Sequence, residues 1–237
     1  MRVGELMSYA YLKEQVDAVK ADIARVCDKL GKPADAVTLL GVTKTYEADV
    51  INQSIEFGIT DIAENKVQEI MRKYDDITKD VKWHLIGHLQ TNKVKYIIDK
   101  VDLIHSVDSL KLAEEISSRA SKIGKVQDVL IQINVADETQ KFGIPPEALD
   151  ELLEAISKLS NIRVCGLMNI APFVEEPELL REDFKIMNAL FQSIKHCTYA
   201  NVDAKYLSMG MSNDYEIAIE EGSNMIRIGT KIYGKRI

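Results

Sequence analysis

The chain has 237 residues, of which 46% are hydrophobic and 28% charged, the balance of an ordinary globular protein with enough apolar material for a core. Its 30 lysines and arginines stand against 37 aspartates and glutamates, a net charge of −7 with no long basic block, which excludes non-specific nucleic-acid binding as its task. No apolar run reaches the roughly 20 residues of a membrane span, the N-terminus lacks the apolar core of a signal peptide, and Cys27, Cys165 and Cys197 form no CxxC or zinc pattern, so a cytoplasmic protein without a metal is expected.

From about Tyr9 to Leu30, the residues Val16, Val19, Ile23, Val26 and Leu30 lie on one helical stripe, stopped by Gly31 and Pro33. An alternation follows. Strand-like runs at 37–43, 59–63, 82–86, 102–107, 128–135, 162–168, 204–208 and 225–228 are separated by helical patterns at 47–57, 65–74, 91–98, 109–123, 145–159, 178–196 and 214–221. Repeated βα units predict a parallel sheet covered by helices, and eight strands are the number that closes a (β/α)₈ barrel. A doubly wound open sheet is the competing arrangement, but no GxGxxG follows the first strand. No Pro/Gly/Ser-rich linker divides the chain. The expected fold is therefore α/β: a single (β/α)₈ TIM-type barrel domain over 1–237. Its extra N-terminal helix at 9–30 would pack against the exterior or plug the closed end, and the barrel itself would occupy 37–237.

Chemistry on such a barrel belongs at the carboxyl ends of the strands. The first strand ends in Gly41-Val42-Thr43-Lys44, which places an amine where partial desolvation and a neighbouring cation can lower its pKa toward carbonyl chemistry. Late in the chain, Ser208-Met209-Gly210-Met211-Ser212-Asn213-Asp214 follows a strand and opens a helix, so Ser212 is either an anion ligand or only a helix cap. Gly229-Thr230 after the eighth strand favours the first reading, since the loops after strands 7 and 8 form the common phosphate site of this fold. Arg227 shares a strand face with Met225 and Gly229. It requires either an internal salt bridge, for example with Glu64, or an acceptor on a ligand. Taken together, an imine-forming lysine and an anion cradle suggest a phosphorylated aldehyde.

The remaining polar residues carry less. His84 and His88 span the end of a strand and a glycine, which is not the helical two-histidine metal pattern, and a structural role is expected. His105 and His196 have no partner pattern. The cysteines read as buried small hydrophobes. Lys141-Phe142-Gly143 after the fifth strand reads as a loop bend able to contact an anion.

Several segments, in order, resemble the YggS/PROSC family of pyridoxal phosphate homeostasis proteins. They are Gly41-Val42-Thr43-Lys44-Thr45, Ala63-Glu64-Asn65-Lys66-Val67-Gln68-Glu69, Trp83-His84-Leu85-Ile86-Gly87-His88-Leu89-Gln90-Thr91-Asn92-Lys93, Gly166-Leu167-Met168, Leu207-Ser208-Met209-Gly210-Met211-Ser212 and Arg227-Ile228-Gly229-Thr230. The resemblance implies a barrel similar to the N-terminal domain of alanine racemase. It implies pyridoxal 5′-phosphate (PLP) carried on Lys44 as an aldimine. Ser212, Gly229 and Thr230 would hold the phosphate, Arg227 would lie toward the pyridine nitrogen, and Asn65 would line the ring pocket. Two departures from the racemases are expected to matter: Ala48 stands where their lysine motif has a phosphate-binding tyrosine, and no second domain supplies an opposing tyrosine base.

The resemblance therefore implies an intracellular PLP carrier that buffers or delivers the cofactor to apo PLP-dependent enzymes, rather than an enzyme, and a monomer. The alternatives are a PLP-dependent amino-acid racemase, for which no second base can be nominated, and a Schiff-base aldolase acting on a sugar phosphate.

Overall fold

The computed structural model describes residues 3–135, 142–171 and 176–234. Eight parallel strands close into a barrel in chain order: β1 (Thr38–Val42), β2 (Asp61–Glu64), β3 (Lys82–Leu85), β4 (Leu103–Val107), β5 (Gln127–Ile133), β6 (Ile162–Asn169), β7 (Val202–Met211) and β8 (Met225–Ile228). Closure is made by β8 against β1, with Leu40 opposite Arg227 and Gly41 opposite Ile228. The open-sheet alternative is thereby excluded.

Helices fill the crossovers: α2 (Ala48–Glu56), α3 (Val67–Lys73), α4 (Leu110–Lys122), α5 (Leu149–Ile156), α6 (Pro177–Lys195) and α7 (Tyr215–Glu220). A short α8 (Thr230–Tyr233) follows the last strand. The third crossover departs from the expected helix at 91–98, being a 3₁₀ segment, Thr91–Tyr96. Its six residues include β-branched Thr91 and Val94 and a turn-favouring asparagine, too little helix propensity to propagate α-type bonds. The first helix, α1 (Val3–Lys29), packs on the outside against α2, α7 and α8 and does not plug the end. Lys20 donates to the carbonyls of Phe57 and Gly58 at 3.0 Å, setting a cation on the carboxyl end of α2.

Strand side chains alternate between two cores. Ile62, Ile104 and Ile131 point outward and pack in one cluster with helical residues such as Ile116, Leu153 and Phe184. Leu40, Val42, Ala63, Ile86, Leu130 and Met225 belong to a separate cluster inside the barrel. Two glycines bend the strands near the carboxyl end. Gly166 has φ 143°, and a Cβ there would lie 1.8 Å from the Tyr206 carbonyl oxygen. Gly210 has φ 92° where the β7–β8 register shifts. Such bulges re-aim the side chains that follow them.

At the opposite, amino end of the barrel a cavity of about 740 Å³ is lined in part by Lys20, Thr38, Asp61, His84, Asp102 and Tyr206. None of the residues expected to hold a cofactor lines it. Cys27 and Cys165 are buried, as expected, whereas Cys197 is half-buried beyond the end of α6. No helix among the described residues is long and apolar enough to cross a membrane.

Candidate cofactor site

The inward series Leu40, Val42 continues to Lys44, just beyond the end of β1. The backbone turns sharply there: the Tyr46 N–H bonds the Thr43 carbonyl at 3.1 Å, and Thr45 has φ 72°. Among the described residues Thr45 is the one non-glycine with positive φ, a costly conformation for a β-branched side chain. Strain of this kind concentrates at functional sites. Behind the turn, the Thr43 hydroxyl donates to Glu64 Oε1 at 2.7 Å, and Lys73 Nζ donates to the same oxygen at 2.7 Å and to the Thr43 carbonyl at 2.9 Å. Glu64 therefore pairs with Lys73 in the layer between sheet and helix, not with Arg227.

Asn65 follows β2 on the inward side. Its Oδ1 is buried without a hydrogen-bond partner among the described residues, as is Oδ1 of Asn169 at the end of β6. Gly87 lets β3 close over this point: a Cβ there would lie 2.1 Å from the Asn65 carbonyl oxygen.

Arg227 is buried inside the barrel, with Nη1 donating to Ser208 Oγ at 2.6 Å and Nη2 to the Asn169 carbonyl at 2.7 Å. No carboxylate touches it among the described residues. Desolvation pushes the guanidinium down to about 10, so it remains a cation and a pure donor at neutral pH.

The ends of β7 and β8 come together beside the end of β1. The Lys231 N–H reaches Ser212 Oγ at 3.4 Å, joining the loop after β7 to the first turn of α8. Gly229 sits against β1; a Cβ on it would lie 3.5 Å from both Val42 Cβ and the Val42 carbonyl oxygen, so a methyl would fit. The loop is held by Asp214, whose carboxylate accepts the Met211 N–H and whose pKa is raised by burial. From outside, Asp22 on α1 accepts from Lys231 Nζ at 2.9 Å and from the Tyr215 hydroxyl at 2.6 Å. These contacts draw the Asp22 pKa down to about 2. Tyr46 anchors the far end of α8 by donating to the Gly234 carbonyl at 2.9 Å.

Lys44, Asn65, Arg227, Ser212, Gly229 and Thr230 thus all stand at the carboxyl end of the barrel. The histidines part company. His84 is structural, hydrogen-bonded to Asp61 and His105, while His88 stacks on Phe142 with ring centroids 3.8 Å apart. Lys141 lies outside the described residues. No described group of His, Cys, Asp or Glu is arranged to hold a metal. The residues that spacing did not reveal are Lys73, His105, Ser208 and Asp22, whose partners are remote in sequence.

Comparison with known proteins agrees with this architecture. The family model for the alanine racemase N-terminal domain matches residues 15–236. A pyridoxal phosphate homeostasis protein of Aquifex aeolicus is 44% identical over 224 residues, covering 94% of this chain and 97% of that protein. PipY of Synechococcus elongatus PCC7942, solved with PLP bound, superposes with a TM-score of 0.79 at 31% identity over 90% of this chain and 100% of its own. An alanine racemase of Clostridium difficile 630 has a TM-score of 0.72 at 16% identity over 96% of this chain and 57% of its own, a likeness of fold alone. By fold, motif order and sequence identity, the chain belongs to the family of pyridoxal phosphate homeostasis proteins, built on the alanine racemase N-terminal domain.

Proposed function

We propose that this protein binds PLP at the carboxyl end of its barrel, tethers it through Lys44 Nζ as a Schiff base, and serves PLP homeostasis by holding and handing on the cofactor. The observation that carries the reading is the convergence at one mouth of an amine, a carboxylate-free buried guanidinium and a hydroxyl-and-amide cradle formed by adjacent strand ends. The donor set suits an aldehyde, a pyridine ring and a phosphate. Ser212, Gly229 and Thr230 would hold the phosphate, and the unpartnered Asn65 Oδ1 would accept a hydrogen bond from the ring substituents. The PLP bound in PipY and the name borne by the curated relatives support the assignment.

The same residues favour a carrier over a catalyst. Bound PLP supplies an electron sink when its ring nitrogen is protonated. Arg227 can only donate, so a nitrogen facing it stays unprotonated and the sink is weak. A racemase also needs a base on each face of the reacting carbon, and no observation here favours that reading. In our reading the barrel is one domain that works as a monomer in the cytoplasm, with apo PLP-dependent enzymes as recipients.

The test is transfer. Cofactor-loaded protein mixed with an apo-aminotransferase should restore its activity while the loaded protein's visible band declines, with negligible racemisation of common amino acids by the protein alone. A loaded protein that retained its band and left the apo-enzyme inactive would contradict delivery. Racemisation that vanished in Lys44→Ala would contradict the carrier role.

A further inference from the structure

Beneath the proposed cofactor site, five buried polar side chains cross the barrel interior in a single file. Asp61 Oδ1 lies 3.0 Å from His84 Nε2, and His84 Nδ1 lies 3.0 Å from His105 Nε2. His105 Nδ1 lies 3.1 Å from Ser208 Oγ, which accepts from Arg227 Nη1 at 2.6 Å. The file begins at the amino-end cavity, which Asp61 and His84 help to line, and ends at Arg227. Its members come from five strands, β2, β3, β4, β7 and β8.

Its two ends fix the direction of every hydrogen bond. Arginine has no lone pair to offer, so Ser208 Oγ must accept from it. Ser208 then has one proton of its own, and His105 Nδ1 is its sole remaining partner among the described residues. At the other end, burial opposes the charge on Asp61, but hydrogen bonds from His84 and Thr60 outweigh it and lower its pKa, so the carboxylate accepts. His84 therefore donates from Nε2 and accepts at Nδ1. His105 donates from Nε2 and accepts at Nδ1. Burial, reinforced by the charge of Arg227, holds the His105 pKa well below the ordinary histidine value, consistent with one proton on that ring. The reverse order would bring two donors to Ser208 Oγ and leave its own proton without an acceptor, an expensive state in a dry interior.

We propose that Asp61, His84, His105 and Ser208 are positioning residues for Arg227. A one-way chain of donors leads from the guanidinium to a carboxylate on the far side of the barrel. It holds the guanidinium plane against Ser208 and the Asn169 carbonyl. Among the described residues no carboxylate touches the guanidinium and the charge of Asp214 acts on it only through space, which leaves its remaining N–H groups available to a ligand. This rests on the reading that PLP occupies that mouth.

The test has two arms. In cofactor-free protein, ¹⁵N NMR of the imidazoles should show His84 and His105 both protonated on Nε2 and bare on Nδ1; a proton on Nδ1 of either ring overturns the chain. In loaded protein, His105→Leu should shift the visible band and speed cofactor loss about tenfold, as expected for weakening one hydrogen bond to a charged group. His105→Gln, whose amide can accept from Ser208 and donate to His84, should restore both. Wild-type band and loss rate in a folded His105→Leu, or no rescue by His105→Gln, would refute the positioning role. A wild-type protein that never forms a visible band with PLP would instead refute the cofactor reading, and the NMR arm would still decide the chain.

Discussion

Lys73→Met should destabilise the protein severely although the substitution is nearly isosteric and lies outside the mouth. Lys73 is 1% exposed and Glu64 0%. The ammonium bonds Glu64 Oε1 at 2.7 Å, Glu69 Oε2 at 2.8 Å and the Thr43 carbonyl at 2.9 Å. Removing it leaves a buried carboxylate with only the Thr43 hydroxyl, and breaking a buried pair from one side costs about 3–5 kcal/mol. For a chain of this size that corresponds to a fall in Tm of roughly 6–20 °C. Burial already raises the Glu64 pKa, with Lys73 and Thr43 opposing it. Without Lys73 the raised folded-state value climbs further above the unfolded one. The folded state then binds the extra proton, so the loss is smallest below the ordinary glutamate pKa and grows as pH rises through the folded value. Adding Glu64→Gln should recover much of the deficit and flatten this pH dependence. Chemical denaturation of both single variants and the double variant from pH 4 to 8 reads the cycle. A cost below about 1 kcal/mol for Lys73→Met, or no recovery in the double variant, would refute the pairing.

Asp22→Asn should uncouple α1 from the segment carrying Thr230. The wild-type Asp22 pKa of about 2 lies below the unfolded value, so its stabilisation is present above about pH 4 and lost as pH falls through 2. The wild type should lose stability over that window faster than Asp22→Asn, and equal slopes in acid titrations would contradict the link. Gly87→Ala should destabilise by about 2 kcal/mol or more, because its Cβ would stand 2.1 Å from the Asn65 carbonyl oxygen. It should also weaken PLP retention by displacing Asn65; wild-type Tm and wild-type retention together would contradict that approach.

Much of the barrel is legible because its strands, buried on both faces, read as apolar runs between turn signals. The eight expected strands all appear, and β8 matches at both ends. The third crossover was misread because Val94, Ile97 and Ile98 keep a buried, helix-like spacing through a segment too short to propagate an α-helix. The parity of Arg227 with Met225 is legible in the sequence, and the structure puts that shared face inside the barrel. The candidate partner Glu64 falls on the opposite parity from Ala63 and Asn65, so it faces α3 rather than the lumen. The polar file had no local signature. His105 meets Ser208 across 103 positions, and Asp22 meets Lys231 across 209. Only closure of the barrel brings such pairs together.

The central claim is that Lys44 Nζ is the covalent point of attachment for PLP. Purified protein mixed with PLP, reduced with borohydride and digested should yield one peptide bearing the reduced cofactor, with the adduct on Lys44. Lys44→Ala should give neither the visible band nor that peptide while unfolding at the wild-type temperature or close to it. An adduct on another lysine, or a wild-type band in Lys44→Ala, would contradict the account.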